Sequence, residues 1–162
     1  GGQLQRMMIA MSLLGKPQLL IADEPTTALD VFTERQIIEL LFSIRQQMSL
    51  SILLISHNLT LVASMAQNIA VMYCGGMVEW GTAEDILHHP QHPYTRLLLS
   101  CQKISEEWQE MPTIQGTVPD FSDKPMGCLF HPRCPKAQEV CRITTPEYKE
   151  LSPNHKSACL FL

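Results

Sequence analysis

The sequence predicts an α/β chain, a parallel sheet with helices, followed by a small irregular cysteine-rich extension. Three observations carry that expectation. Two strand-sized apolar runs, at residues 19–22 and 52–55, enclose one long amphipathic stretch. Of the 11 prolines only Pro17 and Pro25 precede residue 90, so regular structure belongs to the first part. Of the 6 cysteines, Cys128, Cys134, Cys141 and Cys159 all lie in the last part.

The elements follow in order. Leu4, Met7, Met8, Met11 and Leu14 recur at helical spacing over 3–14, and Gly15-Lys16-Pro17 stops that helix. A buried strand follows at 19–23. Ile37, Leu40, Leu41, Ile44 and Met48 share one face of a helix over 31–48. A second buried strand spans 51–56 and a short helix 59–66. Residues 69–73 and 77–80 flank Cys74-Gly75-Gly76, which reads as a hairpin. Thr82, with Asp85 three residues on, caps a helix ending at His88. One more short helix covers 94–101, started by Pro93. Strand, helix, strand over 19–56 is a βαβ unit with a right-handed crossover and parallel strands. Ligands of such sheets sit at the carboxyl ends of the strands. Those ends carry Asp23-Glu24 and Ser56-His57.

Composition excludes several classes. Hydrophobic residues make up 45% and charged residues 17% of the 162, so the chain can bury a core. A net charge of 12 − 16 = −4 without a basic run argues against nucleic acid as a partner. No apolar run approaches the roughly 18 residues of a membrane span. No leader peptide is expected, since the sequence opens at Gly1 already in an ordered pattern. It is expected to be the interior and C-terminal part of a longer protein. Its divisions are expected at 1–89, 90–125 and 126–162.

Asp23 and Glu24 close the first strand. One carboxylate there can hold Mg²⁺ and its neighbour can orient and deprotonate a water, the two tasks phosphoryl transfer needs. A lone Asp-Glu pair is more often two solvated acids. Here it stands in Leu19-Leu20-Ile21-Ala22-Asp23-Glu24-Pro25-Thr26-Thr27-Ala28-Leu29-Asp30. That segment resembles the Walker B strand, adjacent glutamate and D-loop of ABC-type ATPases, a branch of the P-loop NTPases. Gly1-Gly2-Gln3 resembles the end of that family's signature, and Ser56-His57-Asn58-Leu59 its switch histidine. The motifs stand in family order on the expected elements.

The resemblance implies roles. Asp23 supports Mg²⁺, Glu24 polarises the attacking water, and His57 contacts the terminal phosphate of ATP. Gly1, Gly2 and Gln3 open a helix whose free N–H groups favour an anion, in this family the ATP of the opposite subunit. Asp30 caps the following helix and communicates across the dimer. No G-x-x-x-x-G-K-[ST] phosphate loop is present, and Gly15-Lys16 runs into Pro17. The fragment alone is therefore expected to be inactive and, with strand faces uncovered, to associate.

His92-Pro93-Tyr94 and Gly127-Cys128-Leu129-Phe130-His131-Pro132-Arg133-Cys134-Pro135 resemble the extension of oligopeptide, dipeptide and nickel importer ATPases. Taken alone, the first is a proline-started helix with an aromatic packing handle. The spacing of Cys128, Cys134, Cys141 and Cys159 is not that of a zinc knuckle. Four thiolates suit a [4Fe-4S] cluster, favoured by the resemblance, or Zn²⁺, or else remain free thiols. His131 and His155 are read as surface residues or supports beside that site. Cys74 and Cys101 are read as packing residues. The whole implies an ATP-hydrolysing subunit of a bacterial peptide importer, peripheral on the cytoplasmic face of the inner membrane. Its partners would be a second ATPase subunit, two transmembrane permease subunits and a peptide-binding protein. A soluble ABC ATPase outside transport, a nickel importer subunit, or a metal-binding module on a degenerate ATPase half are the alternatives.

Overall fold

The computed structural model describes residues 1–102 and 113–162. They form two compact units, 1–58 and 59–162.

The first unit contains α1 (Gly2–Leu13), β1 (Leu19–Asp23), α2 (Val31–Met48) and β2 (Ser51–Ile55). The strands pair in parallel, Leu19 opposite Ser51 through Asp23 opposite Ile55, so the expected βαβ unit is present. Asp30 starts α2 by accepting from the Thr33 amide at 2.9 Å and the Thr33 hydroxyl at 2.6 Å. Ser49 ends it in the left-handed region, φ 50°. Ile37 and Leu41 of α2 are fully buried, with Leu20 and Ala22 of β1 nearly so. The strands are not buried on both sides, as the continuous apolar runs suggested. Leu19, Ile21, Leu53 and Ile55 are exposed, because alternate residues of a strand face opposite ways.

The second unit begins with α3 (Leu59–Met65) and the hairpin β3 (Asn68–Tyr73) and β4 (Gly76–Thr82). Cys74 and Gly75 take positive φ in its turn, where Gly75 is suited and Cys74 is strained. α4 (Ala83–His88) starts at Thr82, and Thr82 and Asp85 cap one another reciprocally. α5 (Pro93–Gln102) follows, then a 3₁₀ turn (His131–Arg133), α6 (Glu139–Ile143), β5 (Lys149–Ser152) and β6 (His155–Ser157). The last two strands join the hairpin in one antiparallel sheet of order β3-β4-β6-β5. The cysteine-rich extension is thus less irregular than its sequence suggested.

Its packing centre is aromatic. Phe130, 1% exposed, meets Tyr73 at 5.1 Å and Tyr94 at 5.3 Å between ring centroids. Such tilted and edge-to-face pairs add to simple area burial. The Arg133 guanidinium donates to the Ile114 and Gln115 carbonyls and the Tyr73 hydroxyl, tying the approaching chain to the hairpin.

Candidate functional site

Residue 24 follows the last paired residue of β1. Its N–H donates to the Ile55 carbonyl at 2.9 Å, so residue 24 is still tied to β2 and the chain leaves the sheet only after it. The turn gives Glu24 φ 45° and Ala28 φ 62°, values costly for residues with a side chain. Hydrogen bonds Thr27 N–H to Glu24 O (3.2 Å) and Leu29 N–H to Thr26 O (3.2 Å) hold it. Thr26 is buried and its hydroxyl donates to Glu34 of α2 at 2.9 Å.

This backbone aims Glu24 at the end of β2. The His57 amide donates to Glu24 Oε1 at 3.1 Å, and His57 Nδ1 lies 3.0 Å from both carboxylate oxygens. A carboxylate only accepts here, so Nδ1 carries the proton. The Thr27 hydroxyl donates to Oε2 at 2.9 Å. The His57 hydrogen bond holds the Glu24 carboxyl below its ordinary range; partial burial opposes it and Thr27 reinforces it. Glu24 is therefore ionised and oriented, as a proton acceptor must be. Asp23, exposed at the strand end beside it, is free of that cluster's hydrogen bonds.

Gly1, Gly2 and Gln3 stand at the start of α1, and no side chain caps the helix. A Cβ on Gly2 would run into the Thr33 side chain, and one on Gly1 would come within 2.8 Å of Leu29. The two glycines thus let the start of α1 lie against the turn that carries Asp30. Asp30 is engaged as the α2 cap.

In the second unit Cys128, Cys134, Cys141 and Cys159 line one small cavity of about 20 Å³ with His92, Phe130, His131 and Lys136. Backbone N–H groups of Phe130, Lys136 and Gln138 point at the sulfurs of Cys128, Cys134 and Cys141. Burial pushes the Cys128 and Cys134 thiols up, and the neighbouring thiols push further in the same direction. His131 Nδ1 donates to the Cys128 carbonyl at 2.9 Å. The N–H groups favour sulfur in its charged form and so suit a thiolate-bound centre, while burial and the neighbouring thiols oppose that charge. Yet no group of three or more His, Cys, Asp or Glu among the described residues is placed to hold a metal ion. The convergence of the cysteines is observed; a bound iron–sulfur cluster or zinc is not supported by that arrangement.

His155 corrects the sequence reading: it is 4% exposed, and Nε2 lies 2.9 Å from Glu79, itself fully buried. His92 Nδ1 accepts from the Tyr94 amide at 3.1 Å. Sequence reasoning missed Thr27, Glu34 and Glu79. The signal for Glu79 was an acid between Val78 and Trp80 in an otherwise apolar strand.

The parallel βαβ unit, with Glu24 and His57 joined at its carboxyl edge, is similar to the corresponding part of ABC-type ATPases. Its structural likeness is to CbiO1 of Clostridium perfringens, part of the ABC transporter complex CbiONQ. The match has a TM-score of 0.52 and 30% identity, covering 54% of this chain and 35% of that one. Residues 78–141 match the family described as the C-terminal region of oligopeptide/dipeptide transporters. The chain is 51% identical over 91% of its length to the dipeptide transport ATP-binding protein DppD of Haemophilus influenzae. It is 46% identical over 98% of its length to DppD of Escherichia coli and 44% to the oligopeptide transport protein OppD of that organism. The chain spans about half of these relatives, 45% of the first, 49% of the second and 47% of the third.

Proposed function

We propose that this chain is the C-terminal part of an ATP-binding subunit that powers import of di- or oligopeptides by an ABC transporter. The observation that carries the reading is the Glu24–His57 pairing across the parallel strand ends. In this reading Glu24, ionised, takes the proton of the attacking water. His57 and Thr27 hold its carboxylate in place, and His57 contacts the terminal phosphate of ATP. Mg²⁺, supported by Asp23, neutralises phosphate charge when bound. Gly1, Gly2 and Gln3 offer the uncapped start of α1 to the nucleotide of a second ATPase subunit, with Asp30 beside them. Residues 1–89 belong to the nucleotide-binding domain, 90–125 form the connection and 126–162 the cysteine module.

The further partners are two transmembrane permease subunits and a peptide-binding protein. The subunit lies peripherally on the cytoplasmic face of the inner membrane; no helix among the described residues is long and apolar enough to cross it. Cys128, Cys134, Cys141 and Cys159 are proposed to enclose one iron–sulfur cluster, with zinc as the alternative occupant. The reading is motivated by their place on one cavity and by the N–H groups aimed at three sulfurs, although the described residues form no metal-binding group.

In the full-length subunit, Glu24→Gln is expected to lower ATP turnover by about 10²- to 10⁴-fold, the usual worth of a positioned base. Nucleotide binding should persist. Wild-type turnover in that variant would remove Glu24 from the mechanism.

A further inference from the structure

Glu79 is an acid at the middle of β4 with no solvent exposure. Its Oε1 accepts from the Gln91 amide at 2.7 Å and pairs with His155 Nε2 at 2.9 Å; its Oε2 accepts from the His92 amide at 3.0 Å. A buried carboxylate is tolerated only when paired and hydrogen-bonded in this way. Its donors come from two distant segments, the approach to α5 and strand β6. Asp85 also faces the histidine, 3.9 Å from His155 Nδ1.

Both segments lead to the cysteine cavity. Ser157 pairs opposite Glu79, and the Ala158 amide donates to the Val78 carbonyl at 2.9 Å. Cys159 is the next residue. His92 and Pro93 are themselves walls of the cavity. The other cysteines are held by different means. Cys128 N–H donates to the Cys141 carbonyl at 2.9 Å, and Cys134 closes the 3₁₀ turn through His131. A Cβ on Gly127 would collide with the Cys141 carbonyl, so that loop can close only with glycine there.

We propose that Glu79 is a positioning residue for the cysteine cavity. By binding the His-Pro-Tyr segment and β6 at once, it sets Cys159 against the cavity wall, with little effect on Cys128, Cys134 and Cys141. Only the metal arm of the test rests on the iron–sulfur or zinc reading given above.

The test is site-resolved alkylation of the reduced, metal-stripped full chain with iodoacetamide, each cysteine followed by peptide mass. Glu79→Gln turns an amide N–H₂ toward backbone donors and should speed labelling of Cys159 by about tenfold or more, the cost of one unsatisfied buried group. The three other cavity cysteines should stay within about twofold of wild type, since their own bonds are untouched. His155→Leu should resemble Glu79→Gln. His155→Gln keeps a donor toward Glu79 and should stay within about threefold of wild type. An unchanged Cys159 rate in Glu79→Gln would overturn the proposal. So would equal acceleration at all six cysteines, which would make Glu79 a general stabiliser. Iron, sulfide and zinc are counted on the same proteins after anaerobic purification, before stripping. Absence of all three from the wild type would end the metal reading, while the labelling pattern still decides on Glu79. Wild-type metal content lost in Glu79→Gln would agree with both.

Discussion

A buried histidine sets a pH limit on the second unit. Desolvation pushes His92 down to about 4 from its ordinary 6.5, and the nearby Glu79 charge opposes this only in part. The unfolded chain therefore takes up a proton at residue 92 before the folded one does. Stability from this group is complete above about pH 6.5 and is lost as pH falls toward 4, by roughly 3 kcal/mol in full. The ring resonances of His92 are expected to stay constant in an NMR titration from about pH 8 to pH 5, the range above its depressed value. A midpoint near 6.5 would contradict its burial. Its neighbours show why some residues are legible in sequence and others are not. Asp23, Glu24 and His57 stand at strand ends in short motifs, so the meeting of Glu24 with His57, with Asp23 beside them, follows from one βαβ unit. Glu79 and His155 are 76 residues apart, and nothing local marks either as the other's partner.

At the scale of elements, local chemistry made boundaries readable. Asp30 and Thr82 each begin the helix that their side chains predicted, because a cap acts within three residues. Strands β5 and β6 escaped notice for the opposite reason. Lys149–Ser152 is exposed along its whole length and carries no apolar alternation, so only its pairing with β6 makes it a strand. The end of α2 offers a test of the local rules. Ser49 holds φ 50° at a position where glycine carries no Cβ penalty. Ser49→Gly should stabilise the first unit by about 0.5–1 kcal/mol, read from chemical denaturation. A loss of stability would show that the serine side chain makes a contact worth more than the strain.

At the scale of the whole molecule, Leu19, Ile21, Leu53 and Ile55 form an uncovered apolar face on the β1–β2 pair. A patch of this kind promotes association unless another surface covers it. The 162-residue chain is expected to sediment as oligomers or aggregates. Ile21→Lys together with Leu53→Lys should shift it toward monomer, because the face stays solvated. A wild-type chain that sediments as a monomer at micromolar concentration would show the face to be harmless. The pairing of β6 with β4 has a different consequence, for biosynthesis. During translation the hairpin emerges long before His155, so Glu79 leaves the ribosome without its imidazole and β4 without its neighbour. The second unit must then wait, with one sheet edge open, for nearly the last residues of this sequence. A stop codon anywhere before His155 would leave that wait permanent, which makes the arrival of β6 the point of quality control for this unit.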